Sequence, residues 1–204
     1  MKKIERGIIV SIQGYESGTT RELAINAERG GAVAIRTDKP INAKLKIPII
    51  GLSKSRAQNK ETMAYITATI NEIKAVRHWA DYVAVDYRDI NKNLIVLSDY
   101  CKAEKIPVIA DIRGQRCLDN IVNKHLYFTY ISTTFGVFDN RYKPDIDFLK
   151  TIAKLSPGYV IAEGGYKTRK EVESAFRSGA DCVCIGGAIS DIYKLTKKYT
   201  SIKI

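Results

Sequence analysis

Gln13, Arg36, Lys54, Asp86, Asp111 and Glu163 each stand at or just past the end of a short apolar run rich in β-branched residues. Taken singly, a strand-end lysine or aspartate is more often a solvated loop residue. Six such groups converging on one mouth, with a lysine and a carboxylate among them, make proton transfer on a phosphorylated substrate the more economical reading. Two glycine pairs complete the set: Gly164-Gly165 directly after Glu163, and Gly186-Gly187 after Cys182 to Ile185. Glycine lets backbone N–H groups approach an anion with no Cβ in the way, and a helix starting nearby adds the positive end of its dipole. Either pair alone would read as a tight turn. Two pairs at matching strand ends read as a phosphate cradle. His78, beside Trp79 in a helical segment, and His125, before a strand, fall away from these ends and read as structural or surface residues. No His/Cys/Asp/Glu grouping has metal-ligand spacing, and neither a nucleophile elbow nor a dinucleotide fingerprint is present, so no metal and no organic cofactor is expected.

The elements that must position these side chains alternate along the whole chain. Strand-like runs cover Gly7 to Ile12, Ala32 to Arg36, Ile47 to Gly51, Tyr65 to Ala68, Tyr82 to Asp86, Pro107 to Ile112, Tyr127 to Ser132, Tyr159 to Ala162 and Cys182 to Ile185. Between them, Thr19 to Arg29, Asn71 to Trp79, Asn91 to Glu104, Gly114 to Asn123, Pro144 to Lys154, Thr168 to Ser178 and Asp191 to Tyr199 carry apolar residues three and four apart, the helical spacing. Thr168 followed by Glu171 is a capping box, and Gly179 is a helix stop. Alternating strands and helices of this length predict a single-domain (β/α)8 TIM barrel of the phosphate-binding type over residues 1–204. The strand candidates number one more than eight. Tyr65 to Ala68 is taken as a barrel strand after Ile47 to Gly51, with one merger needed to reach the count. A barrel of this kind places its chemistry at the carboxyl ends of the strands and its phosphate after the seventh and eighth, where both glycine pairs fall.

Composition agrees with a globular α/β enzyme. Of 204 residues, 45% are hydrophobic, which excludes disorder and fibres. The net charge of +11 comes from lysines and arginines spread along the chain, so neither a nucleic-acid partner nor a membrane surface is expected. No apolar run approaches the roughly 18 residues of a membrane helix, and the first residues lead into a strand instead of a signal peptide; a cytoplasmic protein is expected. Cys101, Cys117, Cys182 and Cys184 lack CxxC spacing and read as buried reduced thiols.

In order along the chain, these residues resemble the N-acetylmannosamine-6-phosphate 2-epimerase family of bacterial sialic-acid catabolism. The matching motifs are Val10-Ser11-Ile12-Gln13, Gly30-Gly31-Ala32-Val33-Ala34-Ile35-Arg36, Pro48-Ile49-Ile50-Gly51-Leu52-Ser53-Lys54, Ile66-Thr67-Ala68-Thr69, Ala110-Asp111-Ile112, Val160-Ile161-Ala162-Glu163-Gly164 and Gly186-Gly187-Ala188-Ile189. The resemblance implies a cofactor-free barrel that interconverts N-acetylmannosamine 6-phosphate and N-acetylglucosamine 6-phosphate. It places Lys54 as the base and Glu163 as the second catalytic group. Gln13, Arg36 and Asp111 fall on substrate-binding positions, and Gly164, Gly165, Gly186 and Gly187 on the phosphate cradle. The implied partner is a phosphorylated amino sugar, with a homodimer allowed for. For Lys54 to act as base it must be neutral near working pH, which partial burial and a nearby Arg36 or Arg56 would favour.

Three departures accompany the resemblance. Gly186-Gly187-Ala188-Ile189-Ser190-Asp191-Ile192 puts a carboxylate where the family usually has an arginine, which would oppose a phosphate unless Arg56, Arg113 or Lys167 reaches in. Ser132-Thr133-Thr134-Phe135-Gly136-Val137 is altered, and the chain is shorter than usual, with reduced loops after the first strand. They keep two alternatives open: another phosphate-barrel enzyme of the sugar-phosphate decarboxylase or aldolase type, and a non-catalytic sugar-phosphate-binding paralogue.

Overall fold

In the computed structural model, which describes residues 2–54, 66–88, 93–134, 143–156 and 159–200, eight parallel strands follow one another around a closed barrel. They are β1 (Gly7–Ile12), β2 (Ala34–Thr37), β3 (Ile49–Gly51), β4 (Tyr82–Asp86), β5 (Val108–Ile112), β6 (Tyr130–Thr133), β7 (Tyr159–Glu163) and β8 (Cys182–Ile185). Pairing of Gly7 with Cys182 and Val10 with Ile185 closes the ring. The (β/α)8 barrel expected from the alternation is therefore the observed fold.

Side chains alternate across a strand, so each strand has one inward and one outward set. Ile9, Ala34, Ile50, Tyr82, Ala84, Ile109, Tyr130, Ile161, Cys182 and Cys184 pack with one another in the barrel interior. Their neighbours of opposite parity, among them Val83, Val85, Val108, Ala110, Ile112, Ile131, Val160 and Val183, pack in a second cluster with the surrounding helices. Both faces of a strand are buried, which is why these runs are almost wholly apolar. All four cysteines are buried and free, as expected.

The helices are α1 (Ser17–Arg29), α2 (Ile70–Arg77), α3 (Leu94–Ala103), α4 (Gln115–Asn123), α5 (Ile146–Leu155), α6 (Arg169–Arg177), α7 (Gly187–Ser190) and α8 (Ile192–Thr200). Seven correspond to the periodic segments of the sequence; the four-residue α7 is too short to show a period. The capping box at Thr168 and Glu171 forms, and a second one joins Thr69 to Glu72 at the start of α2. Helix α2 lies so close to β3 that a Cβ at Gly51 would fall 2.5 Å from Val76 Cγ1 and 2.6 Å from Ala80 Cβ. Only glycine fits there.

The run Tyr65 to Ala68 is not a barrel strand. Tyr65 lies outside the described residues, and Ile66 to Ala68 pass through an irregular segment above the point where β3 and β4 part. Thr67 bridges that gap: its N–H donates to the Ser53 carbonyl at 2.9 Å, and its carbonyl accepts from Asp86 N–H at 3.0 Å. Isoleucine and threonine suit a strand locally, but this stretch makes no ladder, and without it the count is eight. Four strands also begin later than expected, β5 by the single residue Pro107. β2 starts at Ala34 and gains Thr37, β3 starts at Ile49 because Pro48 contributes only its carbonyl, and β6 starts at Tyr130.

Candidate active site

Four inward positions at the upper rim of the barrel carry charge: Arg36 of β2, Asp86 of β4, Asp111 of β5 and Glu163 of β7. Arg36 sits at the centre. Its Nη1 donates to Glu163 Oε1 at 2.5 Å and its Nη2 donates to Asp111 Oδ2. Ser132, inward on β6, donates through Oγ to Glu163 Oε2 at 3.1 Å. The Glu163 backbone is pinned as well: the Thr133 hydroxyl donates to its carbonyl and accepts from its N–H, both at 2.8 Å. Arg36, Asp111 and Glu163, three of the six groups expected at the mouth, are thus one hydrogen-bonded unit.

Arg36 and Asp111 are 6% and 3% exposed. Burial works against the charge of Arg36, but the carboxylates of Asp111 and Glu163 outweigh it and hold the guanidinium charged more firmly than usual. Asp111 goes the other way. Burial, with the carboxylates of Glu163 and Asp86 adding to it, pushes its carboxyl well above the ordinary aspartate range in spite of Arg36. Two buried atoms of the unit, Arg36 Nε and Asp111 Oδ1, have no hydrogen-bond partner among the described residues. Unmet polar atoms in a nearly dry rim are costly in a protein that binds nothing there, and are ready partners for a polar ligand.

Asp86 has an additional partner that the sequence did not single out. Arg88 wraps back onto it, with Nε 2.8 Å from Oδ1 and Nη2 2.5 Å from Oδ2, and both residues are buried. An Asp-x-Arg past a strand end reads as a solvated loop; only the backbone turn that buries the arginine reveals it. Ser132 was missed for a different reason, since a serine inside a strand carries no charge to draw attention.

Lys54 lies just past β3 and reaches across the mouth to β1, where its Nζ is 3.9 Å from the position of a Cβ at Gly14. It is exposed, so the partial burial expected for it is not observed; Arg56, the other expected neighbour, lies outside the described residues. Gln13 is half-buried and donates through Nε2 to Ser11 Oγ at 2.7 Å, so it too is held at the β1 rim. His78 and His125 are exposed, away from the rim, as expected.

Both glycine pairs sit where expected. Gly164 and Gly165 follow β7 with φ of 100° and 82°, a left-handed conformation that side chains disfavour. Gly186 follows β8 and Gly187 begins α7. The Tyr15 hydroxyl and the Ser190 hydroxyl tie α7 to β1, donating to the Ser190 carbonyl at 2.7 Å and the Ser11 carbonyl at 3.1 Å. Asp191 does not stand unpaired toward the cradle, as its place in the sequence suggested. Its Oδ1 accepts from Lys194 N–H at 3.0 Å, as an N-cap does, and its Oδ2 lies 2.9 Å from Lys194 Nζ. Those contacts hold its carboxyl below the ordinary aspartate range. Of the altered segment after β6, Phe135, Gly136 and Val137 lie outside the described residues.

The profile of a protein family described as "Putative N-acetylmannosamine-6-phosphate epimerase" matches residues 20–203. Two curated bacterial proteins, both called "Putative N-acetylmannosamine-6-phosphate 2-epimerase", are similar over nearly their whole length. The one from Borreliella afzelii is 31% identical over 98% of this chain and 95% of its own. The one from Caldanaerobacter subterraneus is 32% identical over 98% and 92%. Among solved structures, the N-acetylmannosamine-6-phosphate 2-epimerase from Clostridium perfringens superposes with a TM-score of 0.85 at 27% identity, covering 98% of this chain and 94% of that one. GGGPS from Thermoplasma volcanium, at 14% identity and a TM-score of 0.58, shares the fold alone.

Proposed function

This chain belongs to the N-acetylmannosamine-6-phosphate epimerase family, and we propose that it is an isomerase interconverting N-acetylmannosamine 6-phosphate and N-acetylglucosamine 6-phosphate. The observation that carries this reading is the Arg36–Asp111–Glu163 unit, with Lys54 across the same mouth and both glycine pairs beside it.

The two sugars differ only in configuration at carbon 2, so the C2–H bond must break and re-form on the opposite face. That hydrogen becomes acidic only beside a carbonyl, so the ring must first open to the C1 aldehyde. Lys54 takes the proton from carbon 2, and its ammonium returns it after rotation about C2–C3 has turned the other face of the enolate toward it. Negative charge then develops on O1. Glu163 is the second proton carrier, exchanging a proton with a sugar oxygen during opening and return. Arg36 keeps Glu163 oriented and supplies positive charge at the mouth. Asp111 and Gln13 hold sugar hydroxyl and acetamido groups, with Asp111 Oδ1 offering an unused acceptor. Gly164, Gly165, Gly186 and Gly187 take the phosphate through backbone N–H groups. Since a sugar phosphate is too polar to cross a bilayer unaided, its formation and use belong in the cytoplasm.

Proton NMR of either hexosamine phosphate in deuterated water tests the reading. An epimerase incorporates deuterium at carbon 2 as the second isomer appears. A decarboxylase or aldolase would break a carbon–carbon bond instead, and a binding protein would leave the spectrum unchanged; either result overturns it.

A further inference from the structure

Lys194 provides the heavy atom nearest to the open side of the second glycine pair. A Cβ built at Gly187 would lie 3.5 Å from Lys194 Nζ and 3.8 Å from its Cδ, so the end of this side chain passes directly over the glycine. Gly187 is itself exposed, and the ammonium therefore stands on the solvent side of the cradle. The arrangement is held locally. Asp191 ends α7 and caps α8, and its two carboxylate oxygens engage the N–H and the Nζ of the same lysine. Gly187 and Lys194 are seven positions apart in sequence, and the turn between the two helices removes that separation.

The charge balance of the site makes this cation consequential. At the barrel rim, two buried guanidinium groups, Arg36 and Arg88, face three carboxyl groups, Asp86, Asp111 and Glu163. Those five buried groups offer no net positive charge to a phosphate, and glycine amides are neutral donors. An ammonium carries three donors, so it can hold Asp191 and a phosphate oxygen together. We infer that Lys194 binds the phosphate of the substrate at the Gly186-Gly187 pair and so selects phosphorylated over free amino sugars; this rests on the cradle reading given above. The carboxylate at position 191 then serves the site by fixing a cation supplied from the next helix turn.

Inorganic phosphate as a competitive inhibitor, together with the KM for N-acetylmannosamine 6-phosphate, tests this in the full-length protein. Lys194→Met should raise both constants about tenfold, the loss of one charge-assisted contact at an exposed position, with the effect on KM and not kcat. Lys194→Arg should recover most of the loss, and Lys194→Gln, as a second neutral variant, should repeat the methionine result. If phosphate inhibits the wild type and both neutral variants equally, Lys194 has no part in phosphate binding while the cradle stands. If phosphate fails to compete in the wild type, the cradle reading falls and the lysine with it. Deuterium exchange at carbon 2 reads the epimerase assignment separately from either outcome.

Discussion

Along β4, β6 and β7 the inward side chains run Tyr82, Ala84, Asp86; Tyr130, Ser132; and Tyr159, Ile161, Glu163. The same three strands thus present aromatic rings at one end of the barrel and polar groups at the other. At the amino end, Tyr82 and Tyr130 meet edge to face with centroids 5.5 Å apart, Tyr159 stands 5.4 Å from Tyr130, and Lys3 lies over its ring. The Tyr82 hydroxyl donates to the Lys2 carbonyl at 3.0 Å, so a buried polar tip is satisfied while the ring seals the floor. At the carboxyl end the rim buries charged groups and leaves two of their atoms unmatched among the described residues. One end gains stability from burial and the other gives some up, which is the division expected when chemistry sits at one face of a barrel.

The sharpest separation should come from Lys54→Ala. Deuterium exchange at carbon 2 is expected to fall by roughly 10²–10⁴-fold, the usual contribution of a positioned general base. Unfolding free energy should stay within about 0.5 kcal/mol of wild type, because the side chain is exposed. Glu163→Gln should fall almost as far, since it keeps the shape but cannot carry the proton. Retention of more than about a tenth of the activity in either variant would remove that residue from its role.

How much of this was legible before folding follows from the same alternation. Lys54, Arg36, Asp111 and Glu163 could be read because a charge at or just past the end of an apolar run is conspicuous, and period two puts the last three on the inner face. Thr67 was misread because its side chain suits a strand, whereas its position is set by bonds to Ser53 and Asp86 from two neighbouring elements. Arg88 and Lys194 were invisible for a related reason. Each matters through a turn that carries it back onto residues two or seven positions earlier, and no periodicity records such a turn.

Tyr130→Ala tests the opposite end. Deleting this buried ring should cost about 3–5 kcal/mol of unfolding free energy by chemical denaturation, as large-to-small changes in packed cores do. Activity per folded molecule should be unchanged. A loss of exchange activity in the variant while it remains folded would show that the floor and the rim are coupled, and the division between the two ends would then fail.

Asp111→Asn crosses that division, because it alters the site and is expected to make the protein more stable at neutral pH. Folding raises the carboxyl of Asp111 above its unfolded value, chiefly through burial, with Glu163 and Asp86 adding to the effect. The folded state therefore holds its proton to higher pH than the unfolded chain does. By linkage, this group's favourable contribution is fully present below the unfolded aspartate value near 3.8 and is lost as pH rises through the folded value. Asparagine has the shape of the protonated acid and does not titrate. The variant should thus match wild type most nearly around pH 4 and gain on it steadily as pH rises, with urea midpoints at each pH giving the difference. Its epimerase activity should drop, since the unpartnered Oδ1 acceptor next to Arg36 is altered. A variant less stable than wild type at pH 7 by a margin that grows with pH would mean that the ion pair with Arg36 outweighs burial. The rim would then resemble the floor, as a region that supports the fold.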